Sequence, residues 1–166
     1  MTHIKSLKNN GKIRSLSNTG LTCIATIGFL GYIPFAPGTI GSLCALALFL
    51  LIDLPLYTHF AVIITGALLG VYASSTAEKI LKEKDSRKII IDEFIGFYVS
   101  VFYLPKTLGF AVAAFLLFRF FDILKPLFIS KLERTLSGGL GVMADDILAG
   151  VYTNIVLQIW LLVFKT

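Results

Sequence analysis

The chain has 166 residues, of which 56% are hydrophobic and only 15% are charged, and its mean hydropathy is +0.84. Soluble domains contain about 45–50% apolar and about 25% charged residues, so this composition excludes a typical soluble domain and indicates one integral membrane domain. The net charge of +5 does not predict a nucleic-acid partner, because no basic face remains once the apolar segments lie in lipid. Cations beside an anionic leaflet explain the charge better.

The first element in chain order is a basic segment, residues 1–20, which we expect in the cytoplasm. The apolar stretch 21–33 follows it, is too short to span a bilayer, and stops at Pro34. It lacks a convincing small-residue cleavage site, so we interpret it as retained rather than as a signal peptide. We predict a re-entrant or interfacial helix here.

Five longer apolar stretches follow, at residues 40–57, 59–77, 89–104, 108–124 and 147–164. A spanning helix needs about 20 residues, and four of these stretches qualify or nearly do. The 89–104 stretch is short and carries Asp92 and Glu93 near its start, so its charged end must lie at an interface or in a protein cavity. The prediction is an all-α, polytopic membrane bundle with about five transmembrane helices and the short N-terminal helix.

The basic residues fall mostly in three clusters, which are Lys5, Lys8, Lys12 and Arg14; Lys79, Lys82, Lys84, Arg87 and Lys88; and Lys125, Lys131 and Arg134. With the N-terminus in the cytoplasm, five alternating spans place all three clusters inside, as the positive-inside rule requires. The same topology puts Asp145 and Asp146, which open the last span, at the level of the acids at 92–93. Every polar constellation therefore converges on one membrane face.

Ionisable groups at membrane depth are functional candidates by default, because charge is costly to bury there. The acids concerned are Asp92, Glu93, Asp122, Asp145 and Asp146. Clusters of oxygen ligands suit hard cations, above all Mg²⁺, and the two histidines, His3 and His59, lie away from these acids, which argues against zinc. The alternative is that the acids are interfacial residues or pair with nearby Arg and Lys.

Two glycines follow the acidic pairs at helical spacing. Gly96 lies four residues after Asp92, and Gly150 lies four residues after Asp146, so each glycine shares a helix face with an acid. The missing side chains leave room for a closely packed helix or for a ligand. Helix packing through small residues is the commoner explanation in membranes.

Basic residues near the acids indicate a phosphate site. Arg119 and Asp122 are three residues apart and share a helix face, and Lys125 lies where Pro126 should end that helix. Arg119 could bind a phosphate as a fork and Lys125 as a point charge. A snorkelling side chain is the alternative for Lys125.

The segment PFAPGTIGS, residues 34–42, is a Pro/Gly turn that leads into a helix. Thr39 is the predicted N-cap, with Ser42 three residues later. Free amides at a helix N-terminus bind anions, so this turn is a second candidate for phosphate binding.

The sequence excludes several phosphatase mechanisms. It contains no C-x₅-R for a cysteine nucleophile, no D-x-D for the usual aspartyl-phosphate hydrolases, and no histidine placed for a phosphohistidine. Attack by a metal-activated water is the mechanism that remains.

Together these motifs resemble the phosphatidylglycerophosphatase A family, bacterial membrane enzymes that dephosphorylate phosphatidylglycerophosphate to phosphatidylglycerol. The matching stretches are PFAPGTIGS (34–42), DEFIG (92–96), FRFFDILKP (118–126) and GGLGVMADDILAG (138–150). The resemblance covers nearly the whole chain and implies one membrane-embedded, Mg²⁺-dependent phosphatase domain, residues 1–166, in the bacterial inner membrane with its active site at the cytoplasmic face. The family often reads K-P-x-P, whereas this chain has Lys125-Pro126-Leu127-Phe128, which changes the loop but removes no charge.

The resemblance also implies a role for each residue. The catalytic acids would be Asp92, Glu93, Asp122, Asp145 and Asp146, and one or two Mg²⁺ ions would be held by Asp92, Glu93, Asp145 and Asp146. Arg119 and Lys125 match the basic positions of the family and would bind the substrate phosphate, together with Thr39 and Ser42 of the turn described above. Either Asp122 or Glu93 would orient or deprotonate the attacking water.

The expected partner is a phospholipid that reaches the site sideways from the bilayer, and the sequence does not indicate an oligomeric state. A small membrane cation transporter is the alternative function, but it predicts acids at mid-depth or on both sides of the membrane. An assembly protein without chemistry is a third interpretation, and it does not explain so many acids and bases at one level.

Overall fold

The structure is a computed structural model that describes residues 17–126, 129 and 135–164, and all regular elements in these ranges are helical. Residues 17–25 form the described part of α1, and a 3₁₀ turn follows at Leu30–Tyr32. The longer helices are α2 (Pro37–Leu51), α3 (Leu56–Leu81), α4 (Ile91–Ser100), α5 (Leu108–Leu124) and α6 (Gly139–Val163). The all-α prediction is confirmed. Most of the basic N-terminal segment, together with Lys131, Arg134 and Lys165, lies outside the described residues.

Two of the described helices are long and apolar enough to cross a membrane, namely α3 with 26 residues and α6 with 25. Only 22% of the most apolar window of α3 and 28% of that of α6 is buried, so both helices present apolar side chains outward. This exposure is unlike that of a soluble core helix and suits lipid contact. Helices α2 and α5 are shorter, so a count of five spans stays a prediction.

Helix α4 is the centre of the bundle. It packs against α2, α3, α5 and α6, and its buried side chains include Ile95, Phe97 and Tyr98. Its ten residues extend about 15 Å, which is half the thickness of a hydrocarbon core of about 30 Å. The segment 89–104 was expected to cross as a short span, but its helix ends inside the protein at Ser100.

The carbonyl groups at the end of α4 are satisfied by side chains of α6. The amide of Asn154 donates to the carbonyl oxygens of Ser100 at 3.0 Å and Phe102 at 2.7 Å. Gln158 donates to the carbonyl of Tyr103 at 3.2 Å. A helix end away from water needs such partners, and these bonds let α4 stop within the bundle.

Glycines bring α4 and α6 into close contact. A Cβ on Gly96 would lie 2.7 Å from the carbonyl oxygen of Asp146, and a Cβ on Gly150 would overlap the carbonyl oxygen of Gly96. The helix-packing explanation of these glycines is therefore confirmed. One consequence is that Asp92 and Asp146 are carried into the same site.

The N-terminal apolar stretch is interrupted by a turn shortly after α1. After α1 the chain turns through Ile27, Gly28 and Phe29, all with positive φ (46°, 62° and 75°). The amide of Ile90 donates to the carbonyl of Ala25 at 3.0 Å, which ties this turn to the start of α4. The helix before this turn already includes residues 17–20, and a re-entrant or interfacial position for the segment stays a prediction.

Candidate active site

The predicted acids come from three helix ends that meet at one end of the bundle. Asp92 and Glu93 lie in the first turn of α4, and Asp122 lies near the end of α5. Asp145 and Asp146 lie in the second turn of α6. All five predicted acids thus lie at one end of the bundle.

Three of the acids form a compact cluster. Asp92, Glu93 and Asp146 each offer a carboxylate oxygen, and these oxygens lie within 4.8 Å of one another. Asp92 is 8% exposed and Asp146 is 3% exposed. One oxygen of each of the three side chains is buried without a hydrogen-bond partner: Asp92 Oδ1, Glu93 Oε2 and Asp146 Oδ2. Buried carboxylates without partners are costly, so the cluster has the chemistry of a site for a hard divalent cation such as Mg²⁺.

Arg119 and Asp122 lie on the same face of α5, as predicted from their spacing of three residues. Arg119 Nη1 lies 2.6 Å from Asp122 Oδ2, and both side chains are largely buried. Asp122 also lies against the carboxylate of Asp146. The guanidinium group is therefore held beside the carboxylate cluster, and a guanidinium can bind an oxyanion through two parallel hydrogen bonds.

Lys125 lies at the end of α5, as predicted from Pro126. It is the C-cap of the helix, with a left-handed backbone at φ 43°. Its Nζ donates to Asp145 Oδ2 at 2.6 Å, so the side chain pairs with an acid of the site. The alternative, in which Lys125 only extends its ammonium group toward the membrane interface, does not account for this contact with Asp145.

Asp145 differs from its neighbour Asp146. Adjacent residues on an α-helix point about 100° apart, and Asp145 is not part of the compact cluster. It pairs with Lys125 and lines a pocket with Glu78, Lys84 and Asp85. Three of the four predicted metal ligands thus meet in the structure, and a metal-binding role for Asp145 stays a prediction.

The turn before α2 abuts the site, although Thr39 is not the N-cap. The helix begins at Pro37, and Ala36 is the N-cap with φ 43° and no side-chain cap. Proline suits the first helical position because its missing N–H would have no partner there. A Cβ on Gly38 would overlap Glu93 Oε1 and lie 3.3 Å from Arg119 Nη1.

Sequence reasoning gave Gly38 no role of its own, yet only a glycine lets the start of α2 approach this closely. The fully buried hydroxyl of Ser42 donates to the carbonyl of Gly38 at 3.0 Å. Phosphate binding by Thr39 and Ser42 stays a prediction. The Pro37-Gly38 pair in PFAPGTIGS was the feature of the sequence that could have indicated a special role for Gly38.

A glycine pair fixes the start of α6. Gly138 has φ 67°, and the amide of Gly139 donates to Ser75 Oγ on α3 at 3.0 Å. A Cβ on Gly139 would lie 2.7 Å from the amide nitrogen of Ser75. This close approach sets the position of α6, and with it that of Asp146.

Comparison with known proteins agrees with the motifs. The family model described as Phosphatidylglycerophosphatase A matches residues 23–161. A Bacteroides thetaiotaomicron protein named "Putative phosphatidylinositol-3-phosphatase" is 38% identical over 138 residues, covering 78% of this chain and 86% of that protein. The Phosphatidylglycerophosphatase A of Escherichia coli is 37% identical over 131 residues (77% of this chain, 76% of that protein). That of Haemophilus influenzae is 34% identical over 163 residues (94% and 100%). No solved structure matches the chain.

Proposed function

Because the chain belongs to the phosphatidylglycerophosphatase A family and is a phosphatase, we propose that it hydrolyses the terminal phosphate monoester of phosphatidylglycerophosphate. The products are phosphatidylglycerol and inorganic phosphate, in phospholipid biosynthesis. One observation carries the proposal: three carboxylates, each with one buried and unpaired oxygen, lie at the same end of an apolar helical bundle as Arg119 and Lys125.

Asp92, Glu93 and Asp146 would hold the cation, which we propose is Mg²⁺. Their all-oxygen donor set, buried and partly unpaired, fits a hard cation. A bound Mg²⁺ would supply Lewis-acid stabilisation of the charge on the phosphoryl group. Asp145, the fourth predicted ligand, would act through Lys125, because its Oδ2 already accepts from that side chain.

Arg119 and Lys125 would bind the phosphoryl oxygens and offset their charge as the P–O bond to glycerol breaks. Positioning and charge stabilisation of this kind account for most of the catalysis in phosphoryl transfer. Asp122 would orient the attacking water and accept its proton, because it lies between Arg119 and Asp146 and is outside the three-carboxylate cluster. The glycerol oxygen takes up a proton from solvent water as it leaves, and Asp122 releases its proton to solvent.

We propose that the chain is one multi-pass domain of the bacterial inner membrane with its site at the cytoplasmic face. The length of α3 and α6 and their outward apolar faces support membrane insertion. The basic residues of the 78–88 connection, at the acid-bearing end, support the cytoplasmic assignment. The acyl chains of the substrate would stay in lipid while the headgroup reaches the acids.

The transporter alternative loses support from the distribution of acids. It requires carboxylates along a path through the bundle, whereas the described acids of the apolar segments gather at one end. At the other end Asp53 is exposed and pairs with Lys106.

A second candidate substrate is a phosphoinositide. It is favoured by the Bacteroides thetaiotaomicron relative at 38% identity, which is named "Putative phosphatidylinositol-3-phosphatase". Both candidates are lipids with a phosphate monoester on a polyol, so the same carboxylates and basic side chains would serve either.

The test is phosphate release by detergent-purified protein from phosphatidylglycerophosphate and, separately, from phosphatidylinositol 3-phosphate, with Mg²⁺ or with EDTA. We expect release from phosphatidylglycerophosphate that requires Mg²⁺ and stops in EDTA. If phosphate is released from the inositol lipid alone, that lipid replaces phosphatidylglycerophosphate as the substrate. Release that persists in EDTA would refute the proposed dependence on a metal ion.

A further inference from the structure

Gly38, the second residue of α2, lies directly against the carboxylate of Glu93. A Cβ at this position would overlap Glu93 Oε1, and it would lie 3.0 Å from Glu93 Cδ and 3.3 Å from Arg119 Nη1. The carboxylate and the guanidinium group therefore meet at one point of the α2 backbone. They occupy the space that any other residue would fill with its own side chain.

The backbone around Gly38 is fixed by its neighbours. Ala36 has a left-handed conformation with φ 43°, and the ring of Pro37 sets φ at the first helical residue. Ser42 is fully buried and donates from its hydroxyl to the carbonyl of Gly38 at 3.0 Å. Gly41 packs against the start of α4, where its Cβ would lie 2.9 Å from the carbonyl oxygen of Ile90. The start of α2 therefore forms a firm wall beside Glu93.

The two carboxylate oxygens of Glu93 have different surroundings. Oε1 lies against Gly38, whereas Oε2 is buried without a hydrogen-bond partner. Glu93 is also one of the three acids whose oxygens converge within 4.8 Å. A glutamate side chain loses much rotational freedom when it is ordered, so a wall that already restricts it reduces the entropy lost on binding a cation.

We propose that Gly38 is a positioning residue for the cation site. Its missing side chain lets α2 hold Glu93 Oε1 in place, and this orientation leaves Oε2 for the cation. The inference rests on the proposed function, because it takes Glu93 to be a cation ligand. It adds a role for a residue that has no side chain to contact either the cation or the phosphate. Changes to groups that orient a metal ligand weaken metal binding by about 10–100-fold.

The alternative is that Gly38 only allows α2 and α4 to pack closely. The atoms nearest to its Cβ position belong to the ends of two long side chains, so an added methyl group would displace the Glu93 carboxylate before it moved a helix. Gly41 is the opposite case, because its Cβ position meets the backbone of Ile90. A methyl group at Gly41 would therefore push the two helices apart.

The test is a double-substitution cycle of Gly38→Ala with Glu93→Asp. Aspartate is shorter by one methylene group, so its carboxylate should withdraw from the space that a methyl group at position 38 needs. Gly41→Ala is the matched control on the same helix, because shortening residue 93 cannot relieve its contact with the Ile90 carbonyl.

The primary measurement is Mn²⁺ binding, counted by electron paramagnetic resonance in detergent-purified protein without substrate. It is made for the wild-type protein, for each single variant, and for Glu93→Asp combined with each glycine substitution. The melting temperature of every protein is recorded. The Mg²⁺ concentration that half-saturates phosphate release gives a second readout of the same cycle.

We expect Gly38→Ala to weaken Mn²⁺ binding at least about 10-fold when Glu93 is present. Glu93→Asp weakens binding by itself, and adding Gly38→Ala to it should change the affinity by less than about 2-fold. Gly41→Ala should lower the melting temperature and change Mn²⁺ binding by the same factor in both backgrounds. If Gly38→Ala fails to fold, the double variant carries the test, because it should fold and bind Mn²⁺ as Glu93→Asp does.

Equal weakening by Gly38→Ala with glutamate and with aspartate at position 93 would overturn the inference, because it would show a general displacement of α2. Unchanged Mn²⁺ binding in Gly38→Ala would overturn it too. If the wild-type protein binds no Mn²⁺, the proposed cation site fails and this inference fails with it. If the wild-type protein binds Mn²⁺ and the cycle shows no coupling, the inference fails alone and the proposed function stands.

Discussion

The two ends of the bundle differ in how their polar groups are satisfied. At the end that carries Asp92, Glu93 and Asp146, buried carboxylate oxygens have no hydrogen-bond partner. At the opposite end, Asn154 and Gln158 satisfy the carbonyls that follow α4. Native structures pair nearly all buried polar groups. Within the described part of the chain, the unpaired carboxylate oxygens all lie at the first of these ends, and this indicates where a ligand is needed.

Cavity size alone points to the opposite end of the bundle. A cavity of about 570 Å³ lies at the opposite end and is lined mostly by apolar side chains. Its charged residues, Asp53 and Lys106, pair with each other, and His59 Nε2 lies 3.0 Å from the carbonyl oxygen of Tyr98. Polar groups that already have partners give no reason to assign chemistry to this cavity. The comparison therefore predicts that changes at the acid end affect catalysis and that changes at the opposite end affect stability alone.

The largest effect is expected from Asp146→Asn. The substitution keeps the shape of the side chain but weakens cation binding, so turnover should fall by at least about 100-fold. The melting temperature in detergent should stay near the wild-type value. Asp53→Asn is the matched control at the opposite end, where the carboxylate is 91% exposed, and it should keep wild-type turnover. An equal loss of turnover in Asp146→Asn and Asp53→Asn would contradict the assignment of catalysis to the acid-bearing end.

Gly96→Ala should reduce both activity and stability. The added Cβ would lie 2.7 Å from the carbonyl oxygen of Asp146 and 2.8 Å from the ring of Phe118, so α4 and α6 must move apart. Overpacking of this kind costs about 1–3 kcal/mol and would also displace the carboxylates. Gly109→Ala is the control, because nothing lies within 4 Å of its Cβ position. The melting temperature and the rate of phosphate release should both fall for Gly96→Ala. Neither should change for Gly109→Ala.

Asn154→Leu should affect stability without affecting chemistry. It leaves the carbonyl oxygens of Ser100 and Phe102 without the amide donor, at a cost of about 1–3 kcal/mol. The residue lies two helical turns from Asp146 on α6, so activity per folded molecule should remain. Thermal unfolding followed by circular dichroism, together with turnover below the transition, measures the two effects separately. A large loss of turnover in a fully folded variant would contradict this separation.

The smallest effect is expected from Lys106→Gln, which removes the ion pair with Asp53. Pairs at the surface contribute about 0–1 kcal/mol, so neither the melting temperature nor the turnover should change appreciably. A loss of turnover here would assign a functional role to the opposite end.

The sequence predicted the helical class and the convergence of the acids, because a charge inside an apolar segment is a strong signal. It did not predict which of two adjacent acids faces the cluster. Asp145 and Asp146 point in different directions, and the rotation of α6 that selects Asp146 is set by the close contact of Gly96 with Gly150. That contact is a property of the packed helices rather than of either motif.

Helix boundaries show where local sequence patterns mislead. The apolar stretch 40–57 was expected as one span, yet α2 ends at Leu51 and α3 begins at Leu56, directly after Pro55. The sequence does not indicate that Ala36 rather than Thr39 is the N-cap, because alanine is not a usual N-cap residue and Ala36 has a left-handed backbone conformation there.

The central claim is that Asp92, Glu93 and Asp146 hold a divalent cation, and binding of Mn²⁺ as a paramagnetic substitute for Mg²⁺ tests it most directly. Electron paramagnetic resonance counts bound Mn²⁺ in detergent-purified protein without substrate and without turnover. We expect the wild-type protein to bind Mn²⁺ in competition with Mg²⁺, Asp53→Asn to bind it equally well, and Asp146→Asn to bind it at least about 10-fold more weakly. Equal Mn²⁺ binding by the wild-type protein and Asp146→Asn would contradict the claim.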